Sequence, residues 1–279
     1  MKQIIKRLVN WDGKSETERD ILRYRIASAT ATLRGLLPIP LWRVLTKYRS
    51  DKHKLGWHLY GHTYGQLFGK FKFKRVKLLE IGIGGYGSAI GGRSLLAWKE
   101  YFPFGSIVAC DIEPKFFLGT GRIKIYQVDQ SAKADLTKLK DEQGPFDIIV
   151  DDGSHLNRHQ IFTFHEMFDS LRQGGIYVIE DVQTSFWPGV VGGIQWDGAH
   201  IDQPEFDTTC VGYFLVLVKY LSHNEFVLTR GVDPDLLAIA KQIRRIAFEH
   251  NLIIIEKGAN DQPSNIKEGS APLSQEQAC

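Results

Sequence analysis

What constrains this chain most is an alternation that begins at Val76. Short apolar runs at Val76–Ile81, Ser106–Asp111, Ile123–Val128, Phe146–Val150 and Gly175–Ile179 read as strands, and stretches with helical periodicity separate most of them. Strands joined through helices pair in parallel and are covered on both faces, so the expected class is α/β with a doubly wound sheet. The pattern changes at its end. Ile243–Phe248 and Leu252–Glu256 are separated only by Glu249-His250-Asn251, where a parallel crossover needs a dozen residues or more. An antiparallel hairpin is therefore expected to close the five parallel strands.

The segments on either side have a different character. Residues 1–50 read as a helical N-terminal leader, with one helix over Glu16–Leu36 that ends before Pro38 and Pro40 and a second over Leu41–Tyr48. Residues 51–258 form the body, and the polar stretch 259–279, rich in Pro, Ser, Gln and Asn, is expected to be a disordered tail. Charge divides along the same lines. Residues 1–75 carry 17 Lys and Arg against 5 Asp and Glu, whereas the rest of the chain carries 18 against 27. The leader contains no recognised nucleic-acid motif, so its charge is expected to pack on the acidic body, its own or that of a neighbour in a homo-oligomer, and nucleic acid is not an expected partner. The longest apolar run, Val211–Val218, is less than half of the ~20 residues that a membrane span needs. The start is too broken by charge for a signal peptide, so a cytoplasmic location is expected. Cys110, Cys210 and Cys279 are few and far apart, which argues against a disulfide framework or a zinc knuckle.

The first strand runs directly into a glycine turn, Lys77-Leu-Leu-Glu-Ile-Gly-Ile-Gly-Gly-Tyr86. Glycines at 82, 84 and 85 let the backbone bend and approach a ligand in the crevice where doubly wound sheets bind nucleotides. Carboxylates recur at the following strand ends. Asp111 lies 31 residues after Glu80, where it can accept ribose hydroxyls, and Asp129-Gln130 is placed to face an adenine. The turn lacks GxGxxG spacing, and the Tyr-x3-Lys pair Tyr48/Lys52 precedes the sheet. With the closing hairpin, these features favour the Rossmann-like class I S-adenosylmethionine methyltransferase arrangement over a dinucleotide dehydrogenase.

Four more acids follow the fourth and fifth strands: Asp151-Asp152, in the run Asp-Asp-Gly-Ser-His155, and Glu180-Asp181. If these strands are neighbours, about 4.8 Å apart, their carboxylates converge. Such acids repel unless a cation joins them, and an all-oxygen set suits Mg²⁺, Mn²⁺ or Ca²⁺ rather than zinc. His155, three residues after Asp152, is within reach to serve as a base. A hydroxyl resembling water has a pKa near 15.7 and histidine about 6.5, a gap of roughly nine units or ~12 kcal/mol. Metal coordination closes part of that gap, and a positioned base adds about 10²–10⁴ in rate. His159 and His165 read as helix residues outside the metal set, His159 behind a capping box made by Asn157 and Gln160. Gln183–Asp207, 25 residues with little periodicity, reads as a structureless lid or binding loop, whose Trp187 and Trp196 suit either a sugar ring or an oligomer contact.

Taken together, the blocks Glu80-Ile-Gly-Ile-Gly-Gly-Tyr86, Gly91-Gly-Arg-Ser-Leu-Leu-Ala-Trp-Lys-Glu-Tyr-Phe-Pro103, Asp151-Asp-Gly-Ser-His155, Gly174-Gly-Ile-Tyr-Val-Ile-Glu-Asp-Val-Gln-Thr-Ser185 and Ile255-Glu-Lys-Gly258 resemble the metal-dependent sugar O-methyltransferases of macrolide biosynthesis, the mycinamicin and macrocin type. The resemblance spans roughly residues 50–258. It implies metal ligation by Asp152, Glu180 and Asp181 and general-base catalysis by His155; the residues alone do not choose between Asp151 and Asp152. It also implies S-adenosyl-L-methionine contacts by Glu80, Ile81, Gly82, Gly84, Gly85, Tyr86, Ser94, Asp111, Asp129, Gln130 and Asp152. Asp51–Tyr64 resembles the family's segment that closes over the cofactor, which adds Tyr60 and Tyr64. The expected function is Mg²⁺-dependent methylation of a sugar hydroxyl on a small-molecule glycoside, either a natural product or a glycolipid. A catechol-type O-methyltransferase and a non-catalytic methyltransferase-fold scaffold are the alternatives.

Overall fold

In the computed structural model, which describes residues 13–85, 90–226 and 230–264, helix α1 (Glu16–Gly35) starts at a capping box. Ser15 Oγ accepts from Glu18 N, and Glu18 Oε2 accepts from Ser15 N at 2.7 Å. Its buried positions Tyr24, Ser28, Ala31 and Gly35 follow helical spacing and make one stripe. Gly35 is needed for contact: a Cβ there would lie 1.9 Å from the Glu100 carbonyl oxygen. Helix α2 (Leu41–Tyr48) buries Leu41, Val44, Leu45 and Tyr48 and ends at Arg49 in the left-handed conformation, φ 56°. Helix α3 (Gly61–Phe68) buries Tyr64 and Phe68 against Trp98 of α4 (Arg93–Tyr101).

Residues up to Gly153 form one compact unit and those from Ser154 a second. In the first, β1 (Lys77–Ile81) lies between β2 (Ser106–Asp111) and β4 (Phe146–Asp151), and β3 (Ile123–Gln127) lies outside β2, with every pairing parallel. Helix α5 (Lys133–Gln143) connects β3 to β4. Ile81 stands opposite both Cys110 and Asp151, so the strand ends are level and their next residues emerge along one edge. The apolar residues of β1, β2 and β4 are almost entirely buried, as the unbroken hydrophobic runs predict.

In the second unit, α6 (Asn157–Met167) precedes β5 (Leu171–Glu180), a longer strand than Gly175–Ile179 suggests. Strand β5 pairs antiparallel with the closing hairpin through its later strand. The order is β5, then β9 (Leu252–Lys257), then β8 (Ile243–Glu249). The expected hairpin is present, turning at Asn251 with φ 60°. The α/β class also matches expectation: mostly parallel strands completed by antiparallel ones.

Two expectations are overturned in this unit. Gln183–Asp207 is not structureless. It contains a short 3₁₀ turn at Val182–Phe186, a hairpin of β6 (Pro188–Val191) and β7 (Ile194–Asp197), and another turn at Pro204–Thr208. Strands of four residues are too short to show an alternation, and the Gly192-Gly193 pair, both at positive φ, was the available turn signal. The capping box at Asn157 is also absent. Leu156 occupies the cap position, and Asp197 of β7 accepts from Asn157 N at 2.8 Å and Arg158 N at 3.2 Å. A carboxylate distant in sequence thus does the work assigned to a local side chain. The unit continues with α7 (Cys210–Lys219) and α8 (Pro234–Ala240). At the start of the expected tail, Asn260 N donates to Lys241 O and Asn260 Nδ2 to Leu221 O; residues 265–279 lie outside the described residues. Among the described residues, no helix is long and apolar enough to cross a membrane.

Candidate active site

In the first unit the glycine turn and the acid turn after β4 meet backbone to backbone. Asp152 N donates to Ile81 O and Gly82 N to Cys110 O, both at 2.9 Å. Gly82 has φ 79°, and a Cβ on it would lie 2.0 Å from the Asp152 carbonyl oxygen. Only glycine satisfies both conditions. Gln130, mostly buried, reaches Asp151 Oδ1 at 3.3 Å and fills the space that a Cβ on Gly153 would need. The expected residues Gly82, Gln130, Asp151 and Asp152 are therefore assembled into one turn.

The expected cofactor residues divide into those that face space and those that support them. A cavity of about 330 Å³ is lined by Gly84, Gly85, Ser94 and Asp152 together with Arg49, Lys54, Arg93 and Trp57. A methionine-derived nucleoside fits the chemistry of such a site, because open glycine backbone beside a hydroxyl and a carboxylate presents donors and acceptors without bulk. Glu80 is fully buried beneath this surface: its Oε2 accepts from Ser94 Oγ at 2.9 Å and Trp98 Nε1 at 3.0 Å. Ile81 is buried in β1, and Tyr64 is buried between Phe68 and Trp98. Tyr60, also buried, stacks on His58 with ring centroids 4.7 Å apart. Asp111 Oδ2 accepts from Ile83 N at 3.1 Å and pairs with Lys115 Nζ at 3.0 Å, and that ammonium also donates to Gly84 O. Asp129 Oδ1 accepts from Ser131 N and Oγ. Tyr86 lies outside the described residues.

Lys52 lies in the segment expected to close over the cofactor but was not singled out as a site residue. It is 1% exposed, and its Nζ lies 2.5 Å from Asp152 Oδ2 and 3.2 Å from Glu80 Oε1. Burial raises the Glu80 carboxyl to about 7; Lys52 opposes that rise, and the Asp152 charge adds to it. No sequence spacing signals a buried lysine; only the tertiary arrangement does.

In the second unit, His155 and Asp181 are both non-glycine residues in the left-handed region, with φ 57° and 56°. Such backbone persists where its surroundings overdetermine it. At His155 the carbonyl accepts from Thr184 Oγ1 at 2.7 Å, and at Asp181 the carbonyl accepts from the same hydroxyl at 3.3 Å. His155 Nε2 lies 3.8 Å from Asp181 Oδ2. Glu180 is buried, and its backbone carbonyl accepts from Gln160 Nε2 at 2.9 Å. The segments that carry His155 and Glu180-Asp181 are thus tied together, and Thr184 and Gln160 are the supports the sequence did not reveal. His159 is in α6 with Nδ1 2.9 Å from Ser154 Oγ, and His165 packs edge-on to Tyr213. Trp187 and Trp196 meet at 66° with centroids 5.6 Å apart, and Trp196 Nε1 donates to Val191 O. Both rings brace the hairpin.

No family model matches the chain. Among curated proteins, it is 38% identical over 206 residues to the demethylmacrocin O-methyltransferase of Streptomyces fradiae, covering 74% of this chain and 50% of that protein. It is also 38% identical over 213 residues to the 8-demethyl-8-alpha-L-rhamnosyl tetracenomycin-C 2'-O-methyltransferase of Streptomyces olivaceus, covering 76% and 53%. The chain thus spans about half the length of the curated relatives it matches. Among solved structures, it superposes on the MycE methyltransferase from the mycinamycin biosynthetic pathway in complex with Mg and SAH. The TM-score is 0.73 at 34% identity, with 81% of this chain and 55% of that one covered.

Proposed function

We propose that this chain, a homologue of sugar O-methyltransferases, is itself an S-adenosylmethionine-dependent, Mg²⁺-dependent O-methyltransferase acting on a sugar hydroxyl of a glycosylated natural product. The observation that carries the reading is the 38% identity to two such enzymes across three quarters of the chain. The cavity beside the glycine turn supports it for the cofactor, and the oxygen donors of Asp152, Glu180 and Asp181 suit a hard divalent metal.

In this reading Gly84, Gly85, Ser94 and Asp152 cradle the cofactor, with Asp111 and Asp129-Gln130 toward its nucleoside. Asp152, Glu180 and Asp181 would hold the metal, which would supply a site for two neighbouring acceptor hydroxyls. When bound, the metal supplies Lewis acidity that brings a hydroxyl's pKa toward the range of histidine. His155 takes the hydroxyl proton at Nε2, and Asp181, 3.8 Å away, stabilises the resulting imidazolium. The cofactor would supply the sulfonium methyl to the freed oxygen, with S-adenosylhomocysteine as the leaving group, and positioning with electrostatics would provide most of the rate. The reading extends to a homo-oligomer in the cytoplasm.

The test is transfer of a labelled methyl group to a rhamnosyl glycoside, followed by mass spectrometry, with and without Mg²⁺. The expected result is a mono-O-methyl sugar formed only with the metal. Full activity in EDTA sinks the metal role, and preference for a simple catechol sinks the sugar assignment.

A further inference from the structure

The cavity beside the glycine turn has more positive charge on its wall than its acids neutralise. Asp51 Oδ1 accepts from Lys52 N and Ser50 Oγ, and Asp152 Oδ2 is held by Lys52 Nζ. On the cationic side, Lys54 Nζ sits 4.4 Å over the Trp57 ring. Arg49 and Arg93 are different: neither guanidinium has a hydrogen-bond or ion-pair partner among the described residues. Both line this cavity and also the two cavities that adjoin it, of about 430 and 700 Å³.

Their backbones are fixed rather than free. Arg49 takes the left-handed conformation, φ 56° and ψ 38°, which a non-glycine residue adopts at a cost. It is held there because Ser50 N donates to Leu45 O, and because Ser50 and Lys52, on either side of Asp51, are buried. Arg93 is the first residue of α4, immediately before Ser94, whose hydroxyl is tied to Glu80. Two unpaired guanidinium groups are thus presented from separate helices at the rim of one cavity.

We propose that Arg49 and Arg93 form a clamp for the carboxylate of the cofactor's amino-acid end, an inference that rests on the cofactor reading above. The chemistry selects this group. The nucleoside portion of S-adenosylmethionine is uncharged, and its sulfonium and α-ammonium are cations that arginines repel. The α-carboxylate is its one anion, and a planar guanidinium fork matches a carboxylate with two parallel hydrogen bonds. With the ribose and adenine assigned to Asp111 and Asp129-Gln130, the amino-acid end is left for the wall that carries Ser94 and the two arginines.

Calorimetric titration with two ligands tests the clamp. S-adenosylhomocysteine carries the carboxylate, and decarboxylated S-adenosylhomocysteine, the same thioether, lacks only that group. Wild-type protein is expected to bind the first about ten- to a hundred-fold more tightly than the second, the scale of a charge-assisted hydrogen-bonded pair. Arg49→Ala and Arg93→Ala should each erode that preference and the double variant abolish it, whereas Arg49→Lys and Arg93→Lys should keep part of it. Thermal melting checks that each variant is folded. Unchanged affinity for S-adenosylhomocysteine in the double variant overturns the clamp, as does an equal loss for both ligands. Failure of the wild type to bind S-adenosylhomocysteine overturns the cofactor reading itself, and the clamp with it.

Discussion

His155 was legible as a candidate from its neighbours, an Asp-Gly-Ser-His run after an apolar strand that offers a base beside acids. Its backbone was not. Positive φ at both His155 and Asp181 depends on Thr184, whose hydroxyl serves the carbonyls of both residues. Under the proposed reading, His155→Ala should lower kcat by about 10²–10⁴ while leaving calorimetric affinity for S-adenosylhomocysteine intact. An unchanged kcat would remove His155 from the chemistry. Lys52 shows the limit of sequence reading at this scale. The Tyr48-x3-Lys52 spacing was weighed only as a reductase signature. In the fold Tyr48 donates to Glu100 and Lys52 pairs with Glu80 and Asp152, roles determined by what the chain packs against.

Among elements, those with an apolar face or an unbroken apolar run were predicted closely, and the four-residue strands β6 and β7 were not. Leu41–Tyr48 matches its expected helix because four apolar residues at helical spacing define a face. The hairpin β6–β7 was missed because its cross-strand order comes from pairing, as Val191 with Ile194, rather than from a periodic pattern. Asn157 was assigned a local cap but is a hub. Its Oδ1 accepts from Ser185 Oγ at 2.7 Å and Cys210 N at 2.8 Å, and its Nδ2 donates to Asp197 at 3.0 Å. It therefore ties α6, α7, the hairpin and the Thr184 segment together while being 1% exposed. Asn157→Ala leaves the Ser185 hydroxyl proton and the Cys210 amide, both buried, without acceptors and should cost about 3 kcal/mol in urea unfolding. A loss below about 0.5 kcal/mol, the scale of an ordinary surface substitution, would contradict the hub.

For the molecule as a whole, the charge division has a definite structural outcome in the first unit. Arg34 of α1 and Lys47 of α2 both reach Glu100 of α4, at 2.8 and 2.7 Å. Burial alone would raise the Glu100 carboxyl, but hydrogen bonds from Lys47, Tyr48 and Arg34 outweigh it and hold the group below the ordinary glutamate range. A carboxyl lowered on folding stabilises the fold above its unfolded value, about 4.3, and loses that contribution as pH falls through the folded value. Glu100→Gln should therefore lower Tm at pH 7, by about 2 kcal/mol of stability, with the gap to wild type closing as pH drops below about 4. A gap that stays constant with pH would mean the charge is irrelevant.

Lys52 has a consequence for the order of assembly. An ammonium locked between Glu80 and Asp152 is a counter-ion supplied by the chain itself, so this part of the acidic edge needs no imported cation to fold. Small zinc domains are the opposite case, unfolded until their ion arrives. Chelation should accordingly silence the proposed reaction yet move the melting midpoint by no more than about 2 °C, a shift worth about 1 kcal/mol in a chain of this size. A collapse of the melting curve in EDTA would reverse that order. The protein is thus expected to circulate as a finished fold, with its metal an exchangeable reagent rather than a structural part.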